Sequence, residues 1–264
     1  MKTKQITQKP LSEAGFSLVE LSIVLVILGL LVAGITAGSA LIKNAELRAI
    51  TAEMNRYNTN INAFRTSFDY FPGDMPNADE FWDPNTACSG GGAATMVGDS
   101  NGRIEYDNSN GVSESYMAWC HLALANLASG PFDGVPVSAD APVANVEVPG
   151  SRVDGGLYMV GFAAHGLSNS NVLVLGGATE VTMDATLELS GVLTPREARN
   201  IDAKIDDANP SSGIVRGFDG VDVAVGDCLD DQSDTDLTND IYNVLDDGTG
   251  TSEIRACGVA YRIN

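Results

Sequence analysis

The feature that most constrains this chain is an apolar run near its N-terminus, EAGFSLVELSIVLVILGLLVAGITAGSA at residues 13–40. Between Glu13 and Lys43 there are 29 residues, of which only Glu20 is charged. About 20 apolar residues suffice for a helix to span a bilayer, so the run predicts a transmembrane helix. A charge at the centre of such a helix costs about 2.5 to 3.5 kcal/mol, and less near the interface. The span is long enough without the neighbourhood of Glu20, which makes this carboxylate a functional candidate.

Charge is distributed unevenly along the chain. Residues 1–15 carry a net charge of +2 and residues 16–70 a net charge of 0, whereas 8 basic and 30 acidic residues give residues 71–264 a net charge of −22. A basic leader before an apolar span predicts a cytoplasmic N-terminus, with the acidic C-terminal part on the other side of the membrane. Such an acidic part, called the head here (residues 72–264), repels nucleic acid and anionic lipid, so we expect the head as a whole to bind no nucleic acid.

All four cysteines lie in the head, and an even number in an exported domain predicts two disulfides with three possible connectivities. Proximity in sequence favours Cys88 with Cys120 and Cys228 with Cys257. The alternative, four buried free thiols, is less typical of a protein outside the cytosol.

After the span, apolar residues follow at alternating spacings of three and four, which is typical of an amphipathic helix. No proline lies between Phe16 and Tyr70, and Pro72 with Gly73 provides a stop. The sequence therefore predicts one long helix with a transmembrane half, residues 16–42, and an amphipathic half, residues 43–71. Its apolar stripe is Leu47, Ile50, Met54, Tyr57, Ile61, Phe64 and Phe68.

The head is predicted to be rich in β-structure, which gives an α+β fold with an antiparallel sheet packed on the long helix. Helices are expected at 113–130 and at 193–206, the second because Thr194, Pro195 and Glu197 form a capping-box sequence. The dipeptide DG at 219–220 predicts a hairpin within the run 213–225. The other strand-like runs are 156–164, 171–177, 179–183 and 255–263.

The N-terminal motif resembles the processing site of type IV prepilins and type II secretion pseudopilins. The resemblance covers residues 9–42 and consists of a short polar leader ending in Gly15, then FSLVE and a long apolar helix. It implies that a prepilin peptidase removes residues 1–15 by cutting after Gly15 and N-methylates Phe16. It also implies an inner-membrane precursor with a periplasmic head, which an assembly platform and its ATPase polymerise into an extracellular filament of identical subunits.

The same resemblance gives Glu20 a role in filament assembly. The new amine of Phe16 in an adjacent subunit would meet this carboxylate and fix the register of the helices. The alternative is a carboxylate that snorkels to the interface. Gly29, Gly34 and Gly38 would allow close helix packing, although glycines also simply loosen a helix.

Two alternatives to a pilus subunit remain. A pseudopilin or minor pilin shares the motif, and a Sec signal peptide cut before Ala40 would release a soluble binding domain. The apolar core of a signal peptide runs about 7 to 15 residues, shorter than this one and without a glutamate.

Acidic loops raise the possibility of calcium, which needs six to eight oxygen ligands. The first loop offers Asp99, Asn101 and Glu105; the second offers Asp227, Asp230, Asp231, Asp234 and Asp236. Neither loop fits the full EF-hand pattern, and solvated acidic loops are the alternative. His121 and His165 are predicted to have packing or surface roles, and no catalytic motif is present, so we expect a protein that is not an enzyme and has no other cofactor.

Overall fold

The computed structural model describes residues 17–83, 88, 97–106, 113–134, 141–179, 187, 189–223, 226–229, 241–244 and 254–263. These residues form an α+β arrangement, in which a long N-terminal helix precedes a four-stranded antiparallel sheet and shorter helices. The chain divides into two compact units, Met1–Ala45 and Glu46–Asn264.

Helix α1, Leu18–Phe68, is continuous over 51 residues. Its start follows the polar Ser17, and it ends where Asp69 takes a positive φ of 63°. An aspartate tolerates this left-handed conformation better than most residues do, so Asp69 ends the helix before Pro72 and Gly73 are reached.

The part of α1 within the second unit is buried along the stripe that the sequence predicts. Six side chains of the stripe are buried, and Phe68 at the end of the helix is half-buried. Each large apolar side chain that is removed from water contributes about 1.5 to 3 kcal/mol. The six buried residues are Leu47, Ile50, Met54, Tyr57, Ile61 and Phe64.

The sheet has the strand order β1-β2-β4-β3, and every neighbouring pair is antiparallel. Its strands are β1, Gly156–Phe162; β2, Asn171–Gly177; β3, Val215–Asp219; and β4, Cys257–Arg262. The two central strands, β2 and β4, are almost entirely buried, and their central residues, Val172–Leu175 and Val259–Ala260, are apolar.

One face of the sheet is joined to α1 by tyrosines. The hydroxyl of Tyr158 on β1 donates to Glu53 at 2.9 Å, and the hydroxyl of Tyr261 on β4 donates to Asn55 at 3.3 Å. The ring of Tyr158 also packs edge-on against that of Tyr57, with centroids 5.1 Å apart. These contacts fix the sheet against the second half of α1.

Two short α-helices and a 3₁₀ helix, Ala78–Glu80, complete the described part of the head. Helix α2, Glu114–Leu124, is shorter than the predicted 113–130 because Asn126 takes a positive φ of 56° and the following N–H groups turn back to the carbonyl of Leu122. Helix α3, Pro195–Ile205, begins with the predicted capping box, in which Thr194 and Glu197 exchange backbone-to-side-chain bonds of 3.0 and 3.3 Å.

The predicted hairpin at DG 219–220 is wrong. Strand β3 ends at Asp219, residues 221–223 form a turn, and the strand that pairs with β3 is β4. The N–H of Gly220 donates to the carbonyl of Ala256, and the carboxylate of Asp219 accepts from the N–H of Cys228 at 2.7 Å. These bonds direct the chain away from a local return strand. Most of the predicted strand 179–183 lies outside the described residues.

Candidate functional sites at the helix start and in an acidic cluster

Glu20 caps the N-terminus of its own helix. The backbone N–H of Ser17 donates to Oε2 of Glu20 at 2.9 Å, and the N–H of Val19 donates to Oγ of Ser17 at 3.3 Å. Ser17 therefore occupies the N-cap position and Glu20 the third helical position, as in a capping box. This role was missed in the sequence, although Ser-Leu-Val-Glu at 17–20 is the S-x-x-E signature of such a box.

The cap matters more in lipid than in water. The first N–H groups of a helix have no partner within the helix, and an unsatisfied backbone group in hydrocarbon costs several kcal/mol. The carboxylate of Glu20 satisfies one of these groups. Gly15 and Phe16 lie outside the described residues, so cleavage and methylation there stay predictions.

The first half of α1 exposes its apolar side chains. Leu18, Leu30 and Ile42 are 86%, 70% and 73% exposed. By length and composition the helix contains one stretch, near the N-terminus, that could cross a membrane. A Cβ atom added at Gly29, Gly34 or Gly38 would meet nothing within 4 Å, so no part of the described chain packs against these glycines. Close helix packing there would involve other molecules and stays a prediction.

Both predicted disulfides are present. Cys88 is bonded to Cys120 on α2, and Cys228 is bonded to Cys257 at the start of β4, with Cα atoms 5.9 and 5.1 Å apart. No described cysteine is free. In the chain-entropy model each closed loop of this size contributes roughly 3 to 4 kcal/mol.

The predicted calcium loop at Asp99–Glu105 is held by two buried carboxylates that come from elsewhere in the chain. Asp74 accepts from the N–H groups of Asn101 and Gly102 at 3.0 and 2.9 Å. Glu114, the first residue of α2, accepts from the N–H groups of Asp99 and Glu105 at 3.1 and 3.0 Å. Asp74 and Glu114 therefore shape the loop.

Three of these carboxylates form an acidic cluster, Asp74, Asp99 and Glu114, with one oxygen of each within 4.8 Å of the others. Burial raises the pKa of Asp74 to about 6 and that of Glu114 to about 7, against the hydrogen bonds of the loop N–H groups. Carboxylate oxygens are the ligands that calcium prefers, so these residues fit such an ion. Asn101 and Glu105 lie beside them, joined by a bond of 3.3 Å.

The second predicted calcium loop is only partly described. Burial raises the pKa of Asp219 against hydrogen bonds from backbone N–H groups, and the negative charge of Asp227 nearby raises it further. Asp230, Asp231, Asp234 and Asp236 lie outside the described residues. A different group, Asp202, Asp206 and Asp207, is also close together. Its members are engaged locally; Asp202, for example, accepts from the hydroxyl of Tyr242 at 3.0 Å. Calcium binding stays a prediction for both loops.

The side chain of His121 is fully buried in the head, whereas that of His165 is half-buried. Nδ1 of His121 accepts from the N–H of Gly73 at 3.0 Å, and its ring stacks on Phe64 and Trp82. His165 stacks on Phe218 with centroids 3.5 Å apart, and burial lowers its pKa to about 4. Structural roles account for both rings. That the chain is not an enzyme stays a prediction.

We expect the head to become less stable as pH rises from about 4.5 to about 7.5. The pKa values of Asp74 and Glu114 are raised in the folded state, so between these pH values the folded chain binds more protons than the unfolded chain. The loss should be on the order of 2 to 3 kcal/mol per group, since one pKa unit corresponds to about 1.4 kcal/mol and solvent screens part of each shift. Thermal unfolding of the chain in detergent across this range measures it. Glu114→Gln should flatten the slope, and an unchanged slope would contradict the assignment.

If calcium binds the acidic cluster, it should raise the unfolding midpoint at pH 7.5 and remove this pH dependence, because the ion stabilises the ionised carboxylates. The measurement is melting with calcium and with chelator. Asp99→Asn should abolish the shift, whereas Asp79→Asn, which removes an exposed charge elsewhere, should not. A shift that survives Asp99→Asn would place the ion elsewhere, and no shift in the unmutated chain would end the calcium prediction.

Comparison with known proteins agrees with the geometry of the helix start. Residues 11–36 match the family model described as the prokaryotic N-terminal methylation motif. No curated protein and no solved structure matches the chain. The matched segment contains the predicted cleavage position, the Ser17–Glu20 cap and the start of the apolar helix. The chain therefore carries the type IV prepilin signature, which supports a protein of the type IV pilin or pseudopilin type.

Proposed function

We propose that this chain is the structural subunit of a type IV pilus or a pilus-like filament. It is stored in the inner membrane as a precursor with a periplasmic head, cleaved after Gly15, methylated at Phe16 and polymerised through α1 into a fibre at the cell surface. The observation that carries this proposal is Glu20, whose carboxylate is held at the start of the exposed first half of α1, where no other residue before Lys43 is charged.

The exposed half of α1 requires a partner in each stage of this cycle. Leaving so many large apolar side chains in water would be unfavourable, so lipid covers them in the stored precursor and neighbouring copies of α1 cover them in the filament. Gly29, Gly34 and Gly38 have open space around them, which lets another helix approach closely.

The charge of Glu20 supplies the register of that packing. One carboxylate oxygen accepts from Ser17, so the carboxylate already faces the end of the helix where cleavage creates the amine of Phe16. At about 4 Å and an effective dielectric constant near 20, an amine and this carboxylate attract by about 4 kcal/mol before desolvation is subtracted. A misregistered neighbour would leave both charges unpaired among apolar side chains.

The partners of the proposed cycle are the prepilin peptidase, an assembly platform with its ATPase, the inner membrane and identical subunits. A type II secretion pseudopilin or a minor pilin would use the same N-terminal chemistry. Imaging of cells for long fibres that contain this chain separates a pilus subunit from a pseudopilin.

We expect the mature chain to begin at N-methylated Phe16. Mass spectrometry of the N-terminal peptide from a host with a prepilin peptidase measures this directly. Changing Gly15 to a bulky residue should leave the leader attached, because the peptidase pocket must accept a residue without a side chain. A mature chain that begins at Ala40 would instead show Sec processing and would refute the filament proposal.

Glu20→Gln and Glu20→Ala should both insert into the membrane and fold, yet assemble poorly. Insertion becomes easier because a charge leaves the lipid, by at most the ~2.5 to 3.5 kcal/mol of a central position. Assembly becomes harder because breaking a buried charge pair typically costs ~3 to 5 kcal/mol, repeated at each contact of the polymer. Membrane-bound monomer and sheared filament are measured side by side.

The two substitutions separate the charge of Glu20 from its cap. Gln keeps a carbonyl oxygen that can accept from the N–H of Ser17, whereas Ala removes both functions. Equal defects would assign the effect to the charge, and a defect in Ala alone would assign it to the cap. Ser22→Ala, a polar change two residues away on the same exposed helix, is the matched control. Normal filament yield from Glu20→Gln would contradict the register argument.

A further inference from the structure

Exposed apolar side chains of the head are concentrated at one end of its sheet. Six large apolar side chains of the described head are exposed, and four of them lie close in sequence to this end. Val221 lies two positions after the end of β3, and Ile254 lies three positions before the start of β4. Val143 and Val146 belong to the turn before Gly150, and Gly150 pairs with Leu157 of β1. We call this end, where β1 and β4 begin and β2 and β3 end, the base of the sheet.

The base is joined to the predicted membrane span by a short stretch of chain. Glu46, the first residue of the second unit, lines a cavity together with Gly156, where β1 begins, and Ala178, just after β2. Only four positions separate Glu46 from Ile42, the last residue of the predicted span. Even a fully extended chain covers at most about 14 Å over four residues, so the cavity cannot lie far from the lipid headgroups.

The cavity presents charges of both signs. Its volume is about 540 Å³, and its lining includes Arg152, Asp154 and Glu46. Arg152 donates through Nε to Glu53 at 3.3 Å while its side chain stays 70% exposed. Arg255 donates to the backbone carbonyl of Asp154 at 3.1 Å, and the carboxylate of Asp154 is almost fully exposed. Nη1 of Arg255 also lies 4.0 Å from Oδ2 of Asp154. Of the eight basic residues in residues 71–264, one therefore lines this cavity and a second contacts its lining, despite the net charge of −22.

We propose that the base of the sheet docks on zwitterionic phospholipid headgroups while the chain is stored as a membrane-inserted monomer. The guanidinium groups of Arg152 and Arg255 face the lipid phosphates, and Asp154 faces the ammonium groups. Val143 and Val146 contact the apolar boundary beneath. A zwitterionic lipid fits better than an anionic one, because an anionic surface repels the acidic head. The inference rests on the membrane insertion proposed above and not on filament formation.

The test uses the full 264-residue chain, expressed without a prepilin peptidase and reconstituted in phosphatidylcholine and phosphatidylethanolamine vesicles that contain a headgroup spin-labelled lipid. A fluorophore on Val146→Cys reports quenching at the base. A fluorophore on Asp79→Cys reports the far end of the head. Asp79 lies beside Phe81, whose ring contacts Phe68 at the end of α1. Phe68 is 22 residues, or about 33 Å of helix, beyond Glu46. We expect quenching at residue 146 to exceed that at residue 79, because only the label at residue 146 would contact the spin-labelled headgroups.

Arg152→Ala with Arg255→Ala should reduce the quenching at residue 146 towards the value at residue 79. Arg65→Ala with Arg103→Ala removes the same charge from the opposite end of the head and should leave it unchanged. Equal quenching at both labels, or quenching that the first pair does not alter, would overturn the inference. Quenching that rises with the density of the protein in the vesicle would show a contact between copies and would overturn it too. Resistance to carbonate extraction, measured in parallel, tests insertion itself and so distinguishes failure of the proposed function.

Discussion

The structure depends on one helix that must satisfy two different surroundings. The first half of α1 exposes apolar side chains all round, whereas the second half is apolar along a single stripe that the head covers. Both halves belong to one continuous helix, Leu18–Phe68, which no proline interrupts. A change at Ile61 or Phe64, both fully buried, would therefore act on the head core and on the element that the filament proposal uses. The tyrosine contacts from β1 and β4 hold the sheet to this same helix.

The acidic residues of the head are of two kinds, exposed and buried. Most acidic residues give a solvated surface, but Asp74 and Glu114 are buried and bind backbone N–H groups of the loop at 99–105. Burial raises both pKa values more than those bonds lower them, so each carboxyl group favours either the protonated form or a nearby cation. The order of this loop is thus linked to pH. Exposed aspartates do not pay this cost of burial, because water screens their charges.

The parts of the fold that could be predicted are those specified by neighbours in sequence. The stripe of α1 follows from spacings of three and four, and the cap of α3 from Thr194 and Glu197, three residues apart. The hairpin at 219–220 was wrong because strand pairing is not local: the partner of β3 comes from the last residues of the chain, and an Asp-Gly pair cannot show that. The acidic cluster could be predicted only in part, since Asp99 belongs to a recognisable loop while Asp74 and Glu114 reach it from 25 positions before and 15 after. The cap at Ser17 is equally local, because Ser17 and Glu20 have the S-x-x-E spacing of a capping box.

That cap changes how the carboxylate of Glu20 should be understood. If Glu20 could pair only with the amine of a neighbouring subunit, its charge would have no partner in the stored precursor, and an unpaired charge in lipid is costly. The bond from Ser17 gives it a partner at once and turns the carboxylate towards the positive end of the helix dipole, where a negative charge is favourable. Each carboxylate oxygen can accept more than one hydrogen bond, so an incoming amine need not displace Ser17. In the proposed cycle the glutamate is therefore tolerated in the membrane by its own helix and remains able to pair in the filament, and neither property requires the helix to change shape.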